Sequence, residues 1–200
     1  GKDCPIPLGE VWNMTYDQNA PEGYLEPVTH EQLWDRYARF INEILPVAEK
    51  YGVQMALHPD DPPMPTMRGQ ARLVYQPDFY KKLKEINPSH ANGFELCLGS
   101  IQEMSEGDLY NTLRYALEEE RAAYIHFRNV KGKVPHYKEV FVDEGDIDMI
   151  KVVEILHEYD YQGVVIPDHT PFMQCGDGWH AGMAYALGYM RALQQKIEGR

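Results

Sequence analysis

Short apolar runs alternate along this chain with longer stretches in which apolar residues recur every three or four positions. The short runs are typical of strands buried on both faces, and the longer pattern is typical of amphipathic helices. The runs predict strands at 53–58, 93–98, 122–130 and 163–167. The periodic stretches predict helices at 29–51, 77–86, 105–120, 148–159 and 179–197. Strands that alternate with helices in this way predict a parallel sheet covered by helices.

Local signals mark several boundaries. Thr29 followed by Gln32 has the spacing of a capping box, and Gly52 is placed as the glycine that ends the same helix. The acidic segment 143–148 predicts a turn in which Asp146 or Asp148 caps the next helix. The interval before that helix, 131–147, is predicted to be a loop.

We expect an α/β fold of the parallel TIM-barrel type with about four βα units visible, which is the C-terminal half of a barrel. A closed eight-stranded barrel takes about 250 residues, and four strands supply half of one. A small doubly wound open sheet is the competing architecture. Residues 1–200 are expected to form a single partial-barrel domain, with an irregular segment at 1–28 that holds at most a short strand near 11–14.

Composition narrows the class of protein. The 200 residues are 44% hydrophobic, which is enough for a sizeable core, and carry a formal charge of −12. A protein that binds nucleic acid or an anionic membrane needs clustered basic residues. This acidic chain is therefore not expected to bind either of them. No apolar run approaches the roughly 20 residues of a membrane span. The cysteines are sparse and odd in number (Cys4, Cys97 and Cys175), which favours a reducing compartment, and we expect the cytoplasm.

Each predicted strand ends in a residue able to bind a metal. These four residues are His58, Cys97, His126 and Asp168. Strand ends around a parallel barrel meet at one rim, where active sites are built. Histidine, cysteine and carboxylate side chains bind transition metals, so the four residues predict one divalent metal site.

Alternatives remain for each candidate alone. His58 could bond to a neighbouring aspartate, Cys97 and His126 could be buried core residues, and Asp168 could cap a turn. The joint pattern favours the metal. Four protein ligands leave room for substrate only beyond four-coordination, which favours Mn, Fe or Co over a closed zinc site, and the thiolate disfavours Mg and Ca.

Two residues beside these candidates could take part in chemistry. His169 follows Asp168 at a strand end, where a neutral imidazole is a plausible general acid or base, although a surface histidine is an equal alternative. Arg128 lies two residues past His126 and could bind a substrate carboxylate through a bidentate fork, or form an ordinary salt bridge. Arg68 is a weaker candidate of the same kind.

Several motifs together resemble mannonate dehydratase, a metal-dependent family of the xylose-isomerase-like barrel superfamily. The similarity extends from about Val28 to the C-terminus. The motifs are His58-Pro-Asp-Asp-Pro-Pro63, the Cys97 strand with Gly99, His126-Phe-Arg-Asn-Val130, Glu144-Gly-Asp-Ile-Asp-Met149, Pro167-Asp-His-Thr-Pro171 and Ala186-Leu-Gly-Tyr-Met-Arg191.

The resemblance implies dehydration of D-mannonate to 2-keto-3-deoxy-D-gluconate with Mn²⁺ or Fe²⁺. It implies the same four metal ligands that position alone suggests, and an acid/base pair at His169 and Tyr185. It places Arg128 against the sugar acid, and we expect Asp61 and Arg68 to bind substrate as well. The expected partner is a small sugar acid, with a homodimer as an option.

Two departures from the family pattern affect the choice of substrate. Asn129 stands where an aspartate is expected, and Leu98 follows the cysteine where a polar residue is expected. Both leave the metal ligands intact but leave the exact sugar acid open. A sugar isomerase or epimerase on the same metal barrel is the alternative enzyme, and a non-catalytic metal-binding half-barrel is the alternative outside catalysis.

Overall fold

The structure is a computed structural model that describes the backbone of residues 13–15, and residues 25–171 and 173–200. Within these residues the elements in chain order are β1 (Asn13–Thr15), α1 (His30–Lys50), β2 (Met55–Leu57), β3 (Thr66–Met67), β4 (Gln70–Ala71), α2 (Phe79–Ile86), β5 (Asn92–Cys97), α3 (Leu98–Glu103), α4 (Leu109–Glu118), β6 (Ala122–His126), β7 (Asn129–Lys133), β8 (His136–Val140), α5 (Met149–Glu158), β9 (Val164–Ile166) and α6 (Gly178–Ile197).

The central sheet contains four parallel strands in the order β2-β5-β6-β9. This order follows the chain and never reverses. A doubly wound sheet has a reversal at its switch point, whereas a barrel adds its strands in sequence around a ring. The topology therefore favours the barrel-type fold over the open sheet. Among the described residues, β2 and β9 are the two edges of this sheet.

Helix α1 begins and ends at the residues that its sequence predicts. The Thr29 side chain accepts a hydrogen bond from the Gln32 backbone N–H, and the Gln32 side chain accepts one from the Thr29 N–H, which completes the capping box. Gly52, just past the helix, has φ 64°, a conformation that glycine adopts without steric cost. The sequence prediction for this helix is confirmed.

One hydrophobic core joins the elements. Strand β5 is buried along its whole length, and the buried cluster around it includes residues from all six of these helices. Tyr80 from α2 packs on Phe94 of β5, with ring centroids 5.1 Å apart. Because β5 lies between β2 and β6, both of its faces are covered, which agrees with its continuous apolar run.

Two helices follow β5 where one was predicted. Leu98 begins the short helix α3 immediately after the strand, and α4 begins only at Leu109. The cap of α4 is Asp108, whose side chain accepts from the Asn111 N–H, so the predicted start at 105 is wrong. Gly107, at φ 77°, turns the chain before this cap.

The predicted third strand and the loop after it contain an antiparallel hairpin. Strand β6 ends at His126, and the chain then turns into β7, which pairs with β8. Strand β8 also pairs with β1, so the hairpin builds a second, three-stranded sheet. The prediction of a loop over 131–147 is therefore wrong for residues 131–133 and 136–140, which are strands. Asp148 caps α5 as expected by accepting from the Ile150 and Lys151 N–H groups.

Residues 1–12 and 16–24 lie outside the described residues, so the expected irregular segment is described only at β1 and from residue 25 onward. Strand β1 overlaps at residues 13 and 14 with the short strand expected near 11–14. Across the described part of the chain, no helix has the length and apolar character that a membrane span requires.

Candidate metal centre

The carboxyl ends of the four parallel strands bring the predicted ligands to one side of the sheet. Cys97 ends β5 and is paired in register with His126, which ends β6. His58 follows β2 by one residue, and Asp168 follows β9 by two. The parallel register therefore gathers residues that are as much as 110 positions apart in the sequence.

Three of the four predicted ligands form a compact cluster. One donor atom from each of His58, Cys97 and His126 lies within 4.8 Å of the other two. The His58 Nδ1 donates a hydrogen bond to the Pro59 carbonyl at 2.5 Å, since a carbonyl can only accept. This bond leaves Nε2 of His58 available to a cation, as is usual for metal-binding histidines.

Asp168 stands beside this cluster. Its Oδ2 is 3.4 Å from Nδ1 of His126, and the residue is not one of the three that cluster within 4.8 Å. Asp168 has φ 67°, a left-handed conformation that is uncommon outside glycine. Such strain is typical where the surrounding structure holds a side chain for a role. The geometric support for Asp168 as the fourth ligand is therefore its short distance to His126, which belongs to the cluster.

The Cys97 thiol is poised to ionise. Burial alone would raise its pKa, but the positive charge of Arg128 and hydrogen bonds with His126 and His58 lower the pKa of Cys97 well below its usual range. The Arg128 Nη2 lies 3.4 Å from the Cys97 Sγ. A thiolate is the form of cysteine that binds metals, so the charge of Arg128 favours the form of Cys97 that a cation would need.

Arg128 is enclosed. Its side chain is 4% exposed, and Nη2 donates to the Asp61 carboxylate at 2.6 Å and to the Ser100 hydroxyl at 2.9 Å. Glu103 Oε1 is 3.2 Å from the same nitrogen. A side chain on Gly99 would collide with this guanidinium, because an added Cβ would lie 2.6 Å from Arg128 Nε. The structure therefore places Arg128 against Cys97, with Nη2 already engaged and Nε buried without a hydrogen-bond partner among the described residues.

The other predicted substrate contacts lie at different places. Asp61, whose side chain is 30% exposed, accepts from Arg128 and from the Tyr137 hydroxyl, which donates at 2.8 Å. Arg68 occupies the turn between β3 and β4 at φ 51°. Its exposed side chain makes no ion pair with any other described residue. Asp61 is therefore connected to the cluster through Arg128, which contacts both Asp61 and Cys97. Arg68 has no such connection among the described residues.

Glu95 is a site residue that the sequence reasoning missed. Its Oε1 is 3.1 Å from His126 Nδ1, and its Oε2 is 3.5 Å from His58 Nε2. Burial, followed by the charge of Cys97, raises the pKa of Glu95 to about 7. The available signal was its spacing, because residues i and i+2 of a strand share a face and Glu95 precedes Cys97 by two.

His169 bridges two carboxylates. Its Nδ1 is 2.6 Å from Glu139 Oε1, and its Nε2 is 3.2 Å from Asp168 Oδ2. Burial lowers the pKa of His169, but the hydrogen bond and charge of Glu139 outweigh this effect and raise it. Glu139 is buried in β8 and was missed, because the sequence predicted a loop there.

Tyr185 lies on α6, with 41% of the residue exposed. Its hydroxyl donates to Asp143 Oδ2 at 2.7 Å, and this bond raises the pKa of Tyr185 to about 12. Helix α6 packs against the segment after Asp168, since a Cβ on Gly182 would lie 2.1 Å from Thr170 Oγ1. Among the described residues no hydrogen bond or ring contact joins Tyr185 to His169.

The two residues that depart from the family pattern have structural roles. Asn129 donates from Nδ2 to the carbonyls of Val142 and Ile147, and its Oδ1 accepts from the Val130 and Ile147 N–H groups. An aspartate could not donate to those carbonyls. Leu98 is fully buried in the core at the start of α3.

The donor set fits a transition-metal ion. It combines imidazole, thiolate and carboxylate groups, the ligands that such ions prefer. The Glu95 oxygens and His126 Nδ1 are buried with no hydrogen-bond partner among the described residues, which is the state expected of groups that face a cation.

Sequential parallel strands with these donors at their carboxyl ends define a β/α protein of the barrel type with a candidate transition-metal centre. Comparison of the sequence with models of known protein families identifies the family within this class. Residues 6–199 match the family model of D-mannonate dehydratase (UxuA). The chain therefore belongs to the D-mannonate dehydratase family, and the resemblance expected from its motifs is confirmed.

Individual relatives agree. A mannonate dehydratase of Bacillus subtilis (strain 168) is 41% identical over 180 residues, which cover 86% of this chain and 49% of that protein. The crystal structure of mannonate dehydratase from Streptococcus suis serotype 2 is 32% identical with a TM-score of 0.76, and the match covers 86% of this chain and 52% of that one. This chain thus spans about half the length of the relatives it matches.

A more distant structure bears on the fold alone. A xylose isomerase domain protein from Planctomyces limnophilus matches with a TM-score of 0.61 at 16% identity, over 84% of this chain and 54% of that one. Together with the sequential strand order, these structural matches confirm the expected α/β fold of a partial parallel barrel.

Proposed function

We propose that this chain serves a metal-dependent hydro-lyase that converts D-mannonate to 2-keto-3-deoxy-D-gluconate. The observation that carries the proposal is the convergence of His58, Cys97 and His126 at the carboxyl ends of three neighbouring strands, in a member of the mannonate dehydratase family. Active sites of parallel β/α folds are built at this end of the sheet.

His58, Cys97, His126 and Asp168 would hold the cation, for which Mn²⁺ and Fe²⁺ suit the mixed donors best. When bound, such an ion polarises substrate oxygens and stabilises the negative charge that develops as a proton leaves the carbon next to a carboxylate. Arg128 keeps Cys97 in the thiolate form that this set requires.

His169 and Tyr185 are the proposed acid/base pair. Dehydration removes the C2 proton and the C3 hydroxyl, so one group accepts a proton and the other donates one. The Nδ1 of His169 lies against Glu139 and its Nε2 against Asp168, so Nε2 would be the nitrogen that accepts the C2 proton once Asp168 binds the cation. Tyr185 keeps its proton, because its pKa is about 12, and this suits protonation of the departing hydroxyl.

Asp61, Arg128 and Arg68 remain the proposed substrate contacts, with unequal support. Asp61 has the strongest support, because its carboxylate is held by Arg128 and Tyr137 yet stays 30% exposed. Arg128 would act chiefly by orienting Asp61. Arg68 would need the turn between β3 and β4 to bring it to the substrate.

We also propose that residues 1–200 belong to one domain and that the chain works in a reducing compartment such as the cytoplasm. Support for one domain comes from the single core, to which all of the described helices contribute. Support for a reducing compartment comes from the free thiols of Cys97 and Cys175.

The test is a product assay on the protein loaded with Mn²⁺. Incubation with D-mannonate should give the 2-keto-3-deoxy acid, detected as its semicarbazone by absorbance, and Cys97→Ala should abolish it. An epimerised sugar acid without this product would replace the dehydratase by an isomerase or epimerase. The absence of any change in a protein that binds Mn²⁺ would support the non-catalytic alternative.

A further inference from the structure

Glu95 is an acidic residue in the middle of β5, a strand that is buried in the hydrophobic core. Strand β5 is buried at every position, and Glu95 is only 4% exposed. Neither carboxylate oxygen has a hydrogen-bond partner among the described residues. A buried carboxylate in this state costs several kcal/mol unless a positive group compensates it. The imidazoles of His58 and His126 are the nearest positive groups in the metal-free protein, but histidines that bind a metal are neutral, so in the loaded site the cation itself is the group expected to compensate Glu95.

The neighbours of Glu95 indicate where that group belongs. Glu95 and Cys97 share a face of β5, because they are two residues apart. The Glu95 oxygens lie 3.5 Å from Nε2 of His58 and 3.1 Å from Nδ1 of His126. Its carboxylate therefore touches both histidines of the metal cluster.

Glu95 could either orient His58 or bind the cation itself, and the ring nitrogen of His58 that it faces distinguishes these two roles. A carboxylate that merely orients a ligand histidine binds the ring nitrogen opposite the metal. In His58 that opposite nitrogen is Nδ1, and it is already bound to the Pro59 carbonyl. Glu95 instead faces Nε2, the nitrogen left for the cation. The carboxylate thus stands on the cation's side of the ring.

We propose that Glu95 is a fifth protein ligand of the cation, beside His58, Cys97, His126 and Asp168. This inference rests on the metal site of the proposed function and extends it. A fifth donor adds a hard, anionic oxygen to the set, which favours ions of high coordination number such as Mn²⁺ and disfavours a tetrahedral zinc site.

The first measurement is binding of Mn²⁺ alone at fixed pH, by titration calorimetry, to the protein and to Glu95→Gln. Glutamine keeps the shape of the side chain and removes the charge. The Kd should rise by more than about 100-fold, beyond the roughly 10–100-fold that loss of a group orienting a ligand costs. In the same samples, the proton relaxivity of water per bound Mn²⁺ should increase, because water enters the position that Glu95 leaves.

The melting temperature of the metal-free protein separates this role from a structural one. Glu95→Gln should melt at the same temperature as the unaltered protein or higher, because it removes a buried carboxylate that makes no hydrogen bond in the described part of the chain. If Glu95 instead stabilised the fold, Glu95→Gln would lower the melting temperature of the metal-free protein. Glu119→Gln is the control, since Glu119 pairs with Lys84 and contacts none of the candidate ligands, and its Mn²⁺ Kd should stay within about threefold of the unaltered protein.

The unaltered protein gives a readout that does not depend on a variant folding. For a six-coordinate Mn²⁺ ion, five protein ligands leave one coordinated water and four leave two, which relaxivity distinguishes. Two waters, or an unchanged Kd and relaxivity in a folded Glu95→Gln protein, would overturn the role of Glu95. If the unaltered protein binds no Mn²⁺, the metal site of the proposed function fails first.

Discussion

At the scale of single residues, position relative to a strand end determined what could be predicted. His58, Cys97 and His126 each terminate an apolar run, and a parallel sheet places such ends on one side. Glu95 has no such signal of its own, because an acid inside an apolar run acquires meaning only from its two-residue spacing to Cys97. Tyr185 was found by family resemblance alone, since an aromatic residue in a helix is usually part of the core.

Asn129 shows how a single amide can determine local structure. The side chain ties the start of β7 to the carbonyls of Val142 and Ile147 through two donated hydrogen bonds. Asn129→Asp replaces both donors by an acceptor that faces two carbonyls. We expect a loss of about 2–4 kcal/mol in the free energy of unfolding, from unpaired buried groups, measured by urea denaturation.

A matched amide provides the control. Asn111 is exposed in the first turn of α4, where an added negative charge is compatible with the helix dipole. Asn111→Asp should change the free energy of unfolding by at most about 0.5 kcal/mol. Equal stability of both variants and the unaltered protein would show that the Asn129 bonds do not hold this segment.

At the scale of elements, the βα alternation was predictable and the hairpin was not. The strands of the central sheet are short apolar runs, and their type follows from pattern. The hairpin of β7 and β8 contains Gly132 and Pro135 and several lysines, so its sequence suggests a loop. It is a sheet because β8 pairs with both β7 and β1, and pairing with a distant segment leaves no local signal.

The hairpin matters because it carries Glu139 to His169. If Glu139 fixes the imidazole so that Nε2 accepts the proton, Glu139→Gln should lower kcat by about 10²-fold, the lower end of what general acid–base catalysis contributes. The KM for D-mannonate and the Kd for Mn²⁺ should stay nearly constant, since Glu139 contacts His169 and is none of the proposed metal ligands or substrate contacts. Steady-state kinetics and calorimetry measure the three quantities.

The conservative variant and a distant one complete this test. Glu139→Asp keeps the charge and should recover part of kcat, whereas Glu158→Gln, on the exposed end of α5, should leave kcat unchanged. A Glu139→Gln protein with normal kcat would mean that His169 does not depend on this bond. Parallel losses of Mn²⁺ binding and kcat would instead make Glu139 a support of the metal site.

At the scale of the whole molecule, the sequential parallel sheet explains why distant residues share a site. The four predicted ligands lie at or just after the ends of four different strands, and only the register of β2, β5, β6 and β9 brings them together. The alternation of apolar runs predicted this class of fold, and the family match confirmed it. Pattern alone could not give side-chain distances, because these depend on the packing of all the elements at once.

The whole account depends on one cation bound jointly at these strand ends. Titration with Co²⁺, followed by near-ultraviolet absorption, tests this claim directly, because a bound thiolate gives a charge-transfer band that does not require turnover. We expect one Co²⁺ per chain with this band. The band should vanish in Cys97→Ala and persist in Cys175→Ala, which removes an exposed cysteine. A band that survives in Cys97→Ala, or a protein that binds no Co²⁺, would contradict the account.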